Sequence, residues 1–147
     1  MELDLTLYHQ YIKISQSGGK RYLFGAIRKK QLVLQPEELV RQSWIHYLEK
    51  EQGISITALA VEKGIKVGES QRRYDLVYYR KGDPLMLFEF KSYEEKLTED
   101  TCQQIAQYNL TLKVPYIVIS NGMQSHLFHV DIENHIVTEL KEFPSLG

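Results

Sequence analysis

The chain has 147 residues, 43% hydrophobic and 25% charged, which is enough for one domain with a proper core and too few for two ordinary ones. Eighteen basic against nineteen acidic side chains give a net charge of -1, so the chain does not carry the footprint of a protein held on nucleic acid by bulk charge. A single cysteine excludes an internal disulfide and a cysteine-rich zinc site, and no apolar run approaches a membrane span. The start of the chain carries no signal-peptide pattern, and the expected compartment is the cytoplasm.

Residues 1–17 alternate irregularly, with apolar positions from Leu3 to Ile14, and suggest a short strand ended by Ser17-Gly18-Gly19. A second β-like stretch runs from Lys20 to Leu34 and contains the basic knot Arg28-Lys29-Lys30. That knot reads either as a solvated turn or, with Lys20 and Arg21, as a local positive patch for an anionic partner. Pro36-Glu37-Glu38 opens a helix, because proline is tolerated in the first turn and glutamates complement the positive end of the dipole. Val40, Trp44, Tyr47 and Leu48 share one face of that helix, which Gly53 ends. Glu38, Arg41, Gln42 and Ile45 form another face, either surface or the wall of a cleft.

Ile54 to Glu62 is ambiguous between strand and helical turn, and is taken as a strand approach with its core at Ala58 to Glu62. Gly64 and Gly68 bracket a short loop. Two apolar, β-prone runs follow, Tyr74 to Tyr79 and Leu85 to Phe90, joined by Arg80-Lys81-Gly82-Asp83-Pro84. Period-2 geometry puts Leu87, Glu89 and Lys91 on one side of the second strand, and Met86, Phe88 and Phe90 on the other. A hairpin centred on Gly82 places Asp75 almost opposite Glu89, so two carboxylates and a lysine would converge on one sheet.

Such a pair can hold Mg²⁺, a hard cation that keeps several waters. The metal would polarise a phosphoryl oxygen, and a nearby lysine can position water or stabilise developing charge. The competing reading is a structural ion pair, since an E-x-K tripeptide on an exposed strand is commonly solvated. Arg72 and Arg73, just before Asp75, are either phosphate clamps or neutralise the carboxylates.

A helix is predicted from after Glu95 to about Leu112, with Leu97, Thr101, Ile105, Tyr108 and Leu112 as its buried stripe and Cys102 and Ala106 beside it. Gln104 and Tyr108 lie one turn apart, as a surface pair or as contacts to a phosphate or flipped strand. Pro115 to Ser120 reads as a buried strand of the parallel-sheet kind, Asn121-Gly122 as a turn, and Met123 to Val130 as the next strand. His126 and His129 face opposite ways, and the remaining histidines are scattered, so no zinc site is read. A short strand at Ile136-Val137 precedes an end frayed past Pro144. The order of elements suits an α/β fold with a mixed sheet and a crossover helix on one face.

Asp75 followed by Glu89-Phe90-Lys91 resembles the PD-(D/E)xK nuclease motif. With Pro36 to Gln42, Val61-Glu62, Arg73 to Val77, Pro84 to Lys91, the Gln104/Tyr108 helix and the Ile119-Ser120-Asn121-Gly122 turn, the chain resembles the N-terminal nuclease domain of type I restriction enzyme R subunits over about residues 28–130. The resemblance implies a restriction-endonuclease-like mixed β-sheet flanked by helices, in one domain over residues 1–147. It implies Mg²⁺ (or Mn²⁺) on Asp75 and Glu89, Lys91 assisting hydrolysis of DNA, and Gln104 near the site. Glu38, or alternatively Glu62, would complete the site, and Arg72, Arg73 and Tyr108 would contact phosphates. Tyr74 stands where the family often has proline, and Phe90 where a smaller residue is common. No helicase motor or Walker A motif occurs in these residues, so expected partners include a helicase/translocase or other restriction-modification subunits, and a homodimer is the base-rate expectation. The rival function is a catalytically silent or partner-activated binding module. A third reading is a structural domain whose carboxylates and lysine form an ion-pair network.

Overall fold

A computed structural model describes residues 1–67 and 69–146, with the side chains of all but Val67 and Ser70. The chain begins with a 3-10 helix, Leu5–Tyr11, and the short strand expected within residues 1–17 is confined to Ile14–Ser17, where Gly18-Gly19 ends it. Asp4 explains the difference, since its carboxylate accepts the Thr6 N–H at 3.1 Å and starts the turn, and Leu5 and Tyr8 are buried. Strands β1 (Ile14–Ser17), β2 (Lys20–Phe24) and β3 (Gln31–Val33) then form a small antiparallel sheet.

Helix α1 spans Pro36–Lys50, with proline and two glutamates in its first turn. Gly53 closes it in the left-handed region (φ +65°), with Ile54 N–H on the Leu48 carbonyl at 3.0 Å. The Val40, Trp44, Tyr47 and Leu48 face is buried, as its spacing predicts. Trp44 is fully enclosed, its ring 5.4 Å from that of Phe88. The polar face holding Arg41, Gln42 and Ile45 is buried as well, so it is not free surface.

After a 3-10 turn at Ile56–Ala58, six strands make the main sheet in the order β4 (Leu59–Val67), β5 (Ser70–Arg80), β6 (Asp83–Phe90), β7 (Tyr116–Ser120), β8 (Ser125–Asp131) and β9 (Ile136–Leu140). Among the described residues only the β6–β7 pair is parallel, and helix α2 (Glu99–Tyr108) with a 3-10 turn at Asn109–Leu112 makes the crossover between them. The fold is therefore α/β with a mixed sheet. Gly64 lies inside β4, where a loop was expected, and Gly68 falls outside the described residues. A Cβ at Gly64, which pairs with Arg73, would come within 2.3 Å of the nitrogen at the flexible end of the Gln71 side chain, diagonally across the hairpin. At the other end of the chain, Phe143 meets the Tyr47 ring at 5.7 Å and Leu146 packs on the core, so the tail does not fray at Pro144.

The sheet buries both faces. Met86, Phe88 and Phe90 join α1 in one cluster, while Leu87 joins Cys102 and Ala106 of α2 in the other, as period-2 alternation requires. The helix phase of α2 differs from expectation. Cys102, Ala106 and Asn109 are buried, whereas Thr101 and Tyr108 are exposed. A polar asparagine in the buried stripe hid this phase from a reading based on hydrophobicity.

Candidate active site

The β4–β5 hairpin changes face at one point. Val61 pairs with Leu76 and Lys63 with Tyr74, but Glu62, at φ +49°, breaks the ladder opposite Asp75. Leu76 sits in the α1 cluster, whereas Tyr74, two residues earlier, sits in the α2 cluster. Regular alternation would keep both on one face, so the hairpin turns over at this irregularity and its far half lies against α2. The Tyr74 hydroxyl donates to Asn109 Oδ1 at 2.6 Å, and Asn109 Nδ2 donates to the Ile105 carbonyl at 2.7 Å. Burial pushes the Tyr74 phenol up to about 12.

Asp75 stands at this turnover. Its Oδ2 accepts the Phe90 backbone N–H at 2.7 Å, which ties the carboxylate to the residue between Glu89 and Lys91. The β5–β6 register ends at Leu76↔Phe88, so the bond lies just where the two strands part. Glu89 lies next along β6, its side chain 13% exposed, and its Oε1 accepts a hydrogen bond from Arg72 Nη2. The Arg72 guanidinium lies 4.8 Å from the centre of the Tyr108 ring and 5.5 Å from that of Tyr74, so two aromatic faces hold it. Gln104 is exposed one turn before Tyr108 on α2.

Lys91 is fixed through its backbone. Its N–H donates to the Ser120 carbonyl at 2.9 Å, and among the described residues its ammonium forms no ion pair. The Asn121-Gly122 turn supports this segment. Asn121 Oδ1 accepts the N–H groups of Met123 (2.9 Å) and Gln124 (2.6 Å), and its Nδ2 donates to the Glu95 carbonyl at 2.8 Å.

A second polar cluster gathers beside α1. Glu62 faces Arg28 at 2.5 Å, Arg73 at 3.5 Å and Arg41 at 3.8 Å. The Arg28 hydrogen bond, reinforced by the charges of Arg28, Arg41 and Arg73, holds the Glu62 carboxyl below its ordinary range. Glu38 accepts from Gln42 Nε2 at 3.0 Å and lies 3.6 Å from Arg41 Nε. Gln42 Oε1 in turn accepts the Ala26 N–H at 3.1 Å. Arg41 thus joins Glu38 to Glu62, and Arg28, from the basic knot, acts in a structural ion pair. The sequence reading missed this network and the Tyr74–Asn109 bond. The Glu38/Arg41 spacing of three residues on a helix was the available signal.

The oxygens of Asp75 and Glu89 suit a hard cation, and one oxygen of each accepts no hydrogen bond among the described residues. No three His, Cys, Asp or Glu side chains among the described residues are grouped so as to hold a metal ion. Any cation here would therefore rest on two carboxylates and keep several waters.

The sequence from 36 to 144 matches the family described as the type I restriction enzyme R protein N terminus. The chain belongs to this family. The match begins later and runs further than the resemblance expected at residues 28–130, and the mixed α/β sheet is consistent with the restriction-endonuclease-like fold and the PD-(D/E)xK superfamily. No curated protein matches the chain.

Proposed function

We propose that the chain hydrolyses phosphodiester bonds of DNA with a divalent metal, in a site formed by Asp75, Glu89 and Lys91. The observation that carries the reading is the Phe90 N–H bond to Asp75 Oδ2, because it draws one acidic residue onto the backbone linking the other two groups. Family membership supports a restriction-type nuclease module working with restriction-modification partners. Asp75 and Glu89 would hold Mg²⁺, or Mn²⁺ in its place. When bound, the cation supplies Lewis-acid polarisation of a phosphoryl oxygen and acidifies water.

The residues of the chain divide the remaining work. Lys91, whose ammonium has no ion-pair partner among the described residues, orients the attacking water and offsets charge that grows on the phosphoryl oxygens. The water oxygen bonds to phosphorus, the ester P–O bond breaks, and the leaving oxygen gains a proton. Arg72 offers a guanidinium to a backbone phosphate, and Tyr108 keeps it on the α2 side. Gln104 faces solvent one turn away, where it can meet a substrate phosphate. Arg73 is tied to Glu62, and Glu38 and Glu62 are both engaged by Arg41, so these three support the site's frame.

One observation favours a second reading, a catalytically silent or partner-activated module. Arg72 already occupies Glu89 Oε1, and a guanidinium competes with a cation for that carboxylate. Calorimetric titration with Mg²⁺ or Mn²⁺, with and without duplex DNA, separates the two. The enzyme reading expects saturable binding that is lost in Asp75→Ala and Glu89→Ala but kept in Lys91→Ala. Absence of binding to the wild-type chain under both conditions contradicts it.

A further inference from the structure

A cavity of about 580 Å³ opens away from the carboxylates, between three separate segments. The β4 tip contributes Ile65 and Lys66, the β5–β6 turn contributes Arg80, Lys81 and Asp83, and the run into β7 contributes Lys113. Three lysines and Arg80, which is already engaged, thus line the cavity beside one acid, in a chain whose net charge is -1. Among the described residues, Lys66, Lys81 and Lys113 form no salt bridge. Converging like charges on low-dielectric walls focus a positive potential and draw an anion.

Two of these lysines sit where a side chain is disfavoured. Lys81 (φ +53°) precedes Gly82 (φ +83°) in the two-residue turn between Arg80 and Asp83, and Lys113 lies at φ +57°. Glycine or asparagine fits such backbone more cheaply. A long cation at both positions therefore gives the cavity its charge at the expense of local fit.

The cavity shares strand β6 with the candidate site. Leu85 lines it, at the point where the β5–β6 register shifts, and Glu89 lies further along β6 beyond the buried Leu87. Four residues of strand separate Leu85 from Glu89, about 13 Å at the usual rise.

We propose that Lys66, Lys81 and Lys113 form a phosphate-backbone site that holds DNA away from the hydrolysed bond. The choice of DNA rests on the function proposed above, while the anionic character of the ligand rests on the cavity alone. The site contributes affinity without sequence preference, because ammonium groups read phosphates and not base edges.

The test is duplex binding by fluorescence anisotropy in EDTA, for the full chain and a Lys66→Gln/Lys81→Gln/Lys113→Gln variant. The variant should bind about tenfold or more weakly at low salt, and its plot of log affinity against log salt should be shallower by about 1 for each lysine engaged. A triple Lys→Arg variant, which keeps the charge, should bind like wild type and guards against misfolding as the cause. Unchanged affinity and slope in the glutamine variant overturn the proposal. So does wild-type binding to polyglutamate as tight as to DNA, which would make the cavity a site for acidic polypeptide. Cleavage is read separately. A chain that never cuts DNA but loses binding in the glutamine variant keeps this site and loses the hydrolytic reading. A chain that cuts, with the glutamine variant cutting at unchanged KM, does the reverse.

Discussion

Arg72 and Glu89 form an ion pair at the point where β5 and β6 part, and the same guanidinium lies beside the Tyr74 and Tyr108 rings. The pair ties the turned-over half of the hairpin to the strand that carries the E-x-K residues. It also sets cation binding and Arg72 in competition for one carboxylate.

Arg72→Gln should therefore free Glu89. The side chain of Arg72 is 34% exposed, so solvent screening limits the pair to about 1 kcal/mol. We expect Mn²⁺ affinity without DNA to rise about fivefold, and duplex affinity to fall. Isothermal titration calorimetry measures the first and anisotropy the second. Unchanged Mn²⁺ affinity would separate Arg72 from the metal site.

The Tyr74 hydroxyl and Asn109 are both buried, and their bond holds the hairpin on α2. Tyr74→Phe leaves Asn109 Oδ1 without its donor, at a cost of about 1–3 kcal/mol. For a chain of this size each 1 kcal/mol lowers Tm by about 2–4 °C. A Tm within 1 °C of wild type, on this scale of about 2–4 °C, would show that water replaces the bond.

Much of this architecture was legible before any coordinates. Pro36-Glu37-Glu38 marks the start of α1 because dipole and proline effects act locally, and the Trp44 stripe buries as its spacing demands. The hairpin about Gly82 and the buried β7 follow from turn chemistry and β-branched runs in the same way. What escaped were features set by distant partners. The buried phase of α2 passes through Asn109, which is tolerable only because Tyr74, thirty-five residues earlier, satisfies it. Gly64 reads as a loop residue, yet lies in a strand, paired with Arg73 of β5.

The candidate site divides along the same line. Asp75 and Glu89 were placed by strand register, which is local once the turn is known. That Arg28 would settle on Glu62, or that Arg41 would join Glu62 to Glu38, depends on how the small sheet and α1 dock. Neither docking leaves a periodic signal in the sequence.

Glu62 illustrates the distinction between frame and chemistry. Its three arginine neighbours include the buried Arg41, which would lose an anion in Glu62→Gln. Because Glu62 is 37% exposed, the expected loss is about 1 kcal/mol and not the several of a fully buried pair. Mn²⁺ affinity should stay within twofold of wild type, at about 0.4 kcal/mol or less. A large fall in metal affinity with stability intact would move Glu62 into the metal site.

Alkaline pH should unfold the chain through its buried acids. Desolvation pushes Cys102 from 9.0 to about 11 and Tyr74 from 10.0 to about 12. In each case the folded state holds its proton at pH values where the unfolded state has released it, so stability falls as pH rises. The Cys102 contribution is fully present below pH 9.0 and is lost up to about 11. Denaturation midpoints from pH 8 to 11 should fall, less steeply in Cys102→Ala. Equal slopes in both proteins would remove the thiol from the cause.

The most direct measurement is single-turnover cleavage of supercoiled and linear DNA in Mn²⁺, comparing wild type with Lys91→Ala at concentrations where both are saturated with metal. Lys91 has no ion-pair partner among the described residues, so the substitution should leave folding and Mn²⁺ binding intact. The expected result is cleavage by wild type and a rate at least 100-fold lower in the variant, about 2.7 kcal/mol of lost transition-state stabilisation. Cleavage at the same rate in both proteins would contradict the assignment of hydrolysis to Asp75, Glu89 and Lys91.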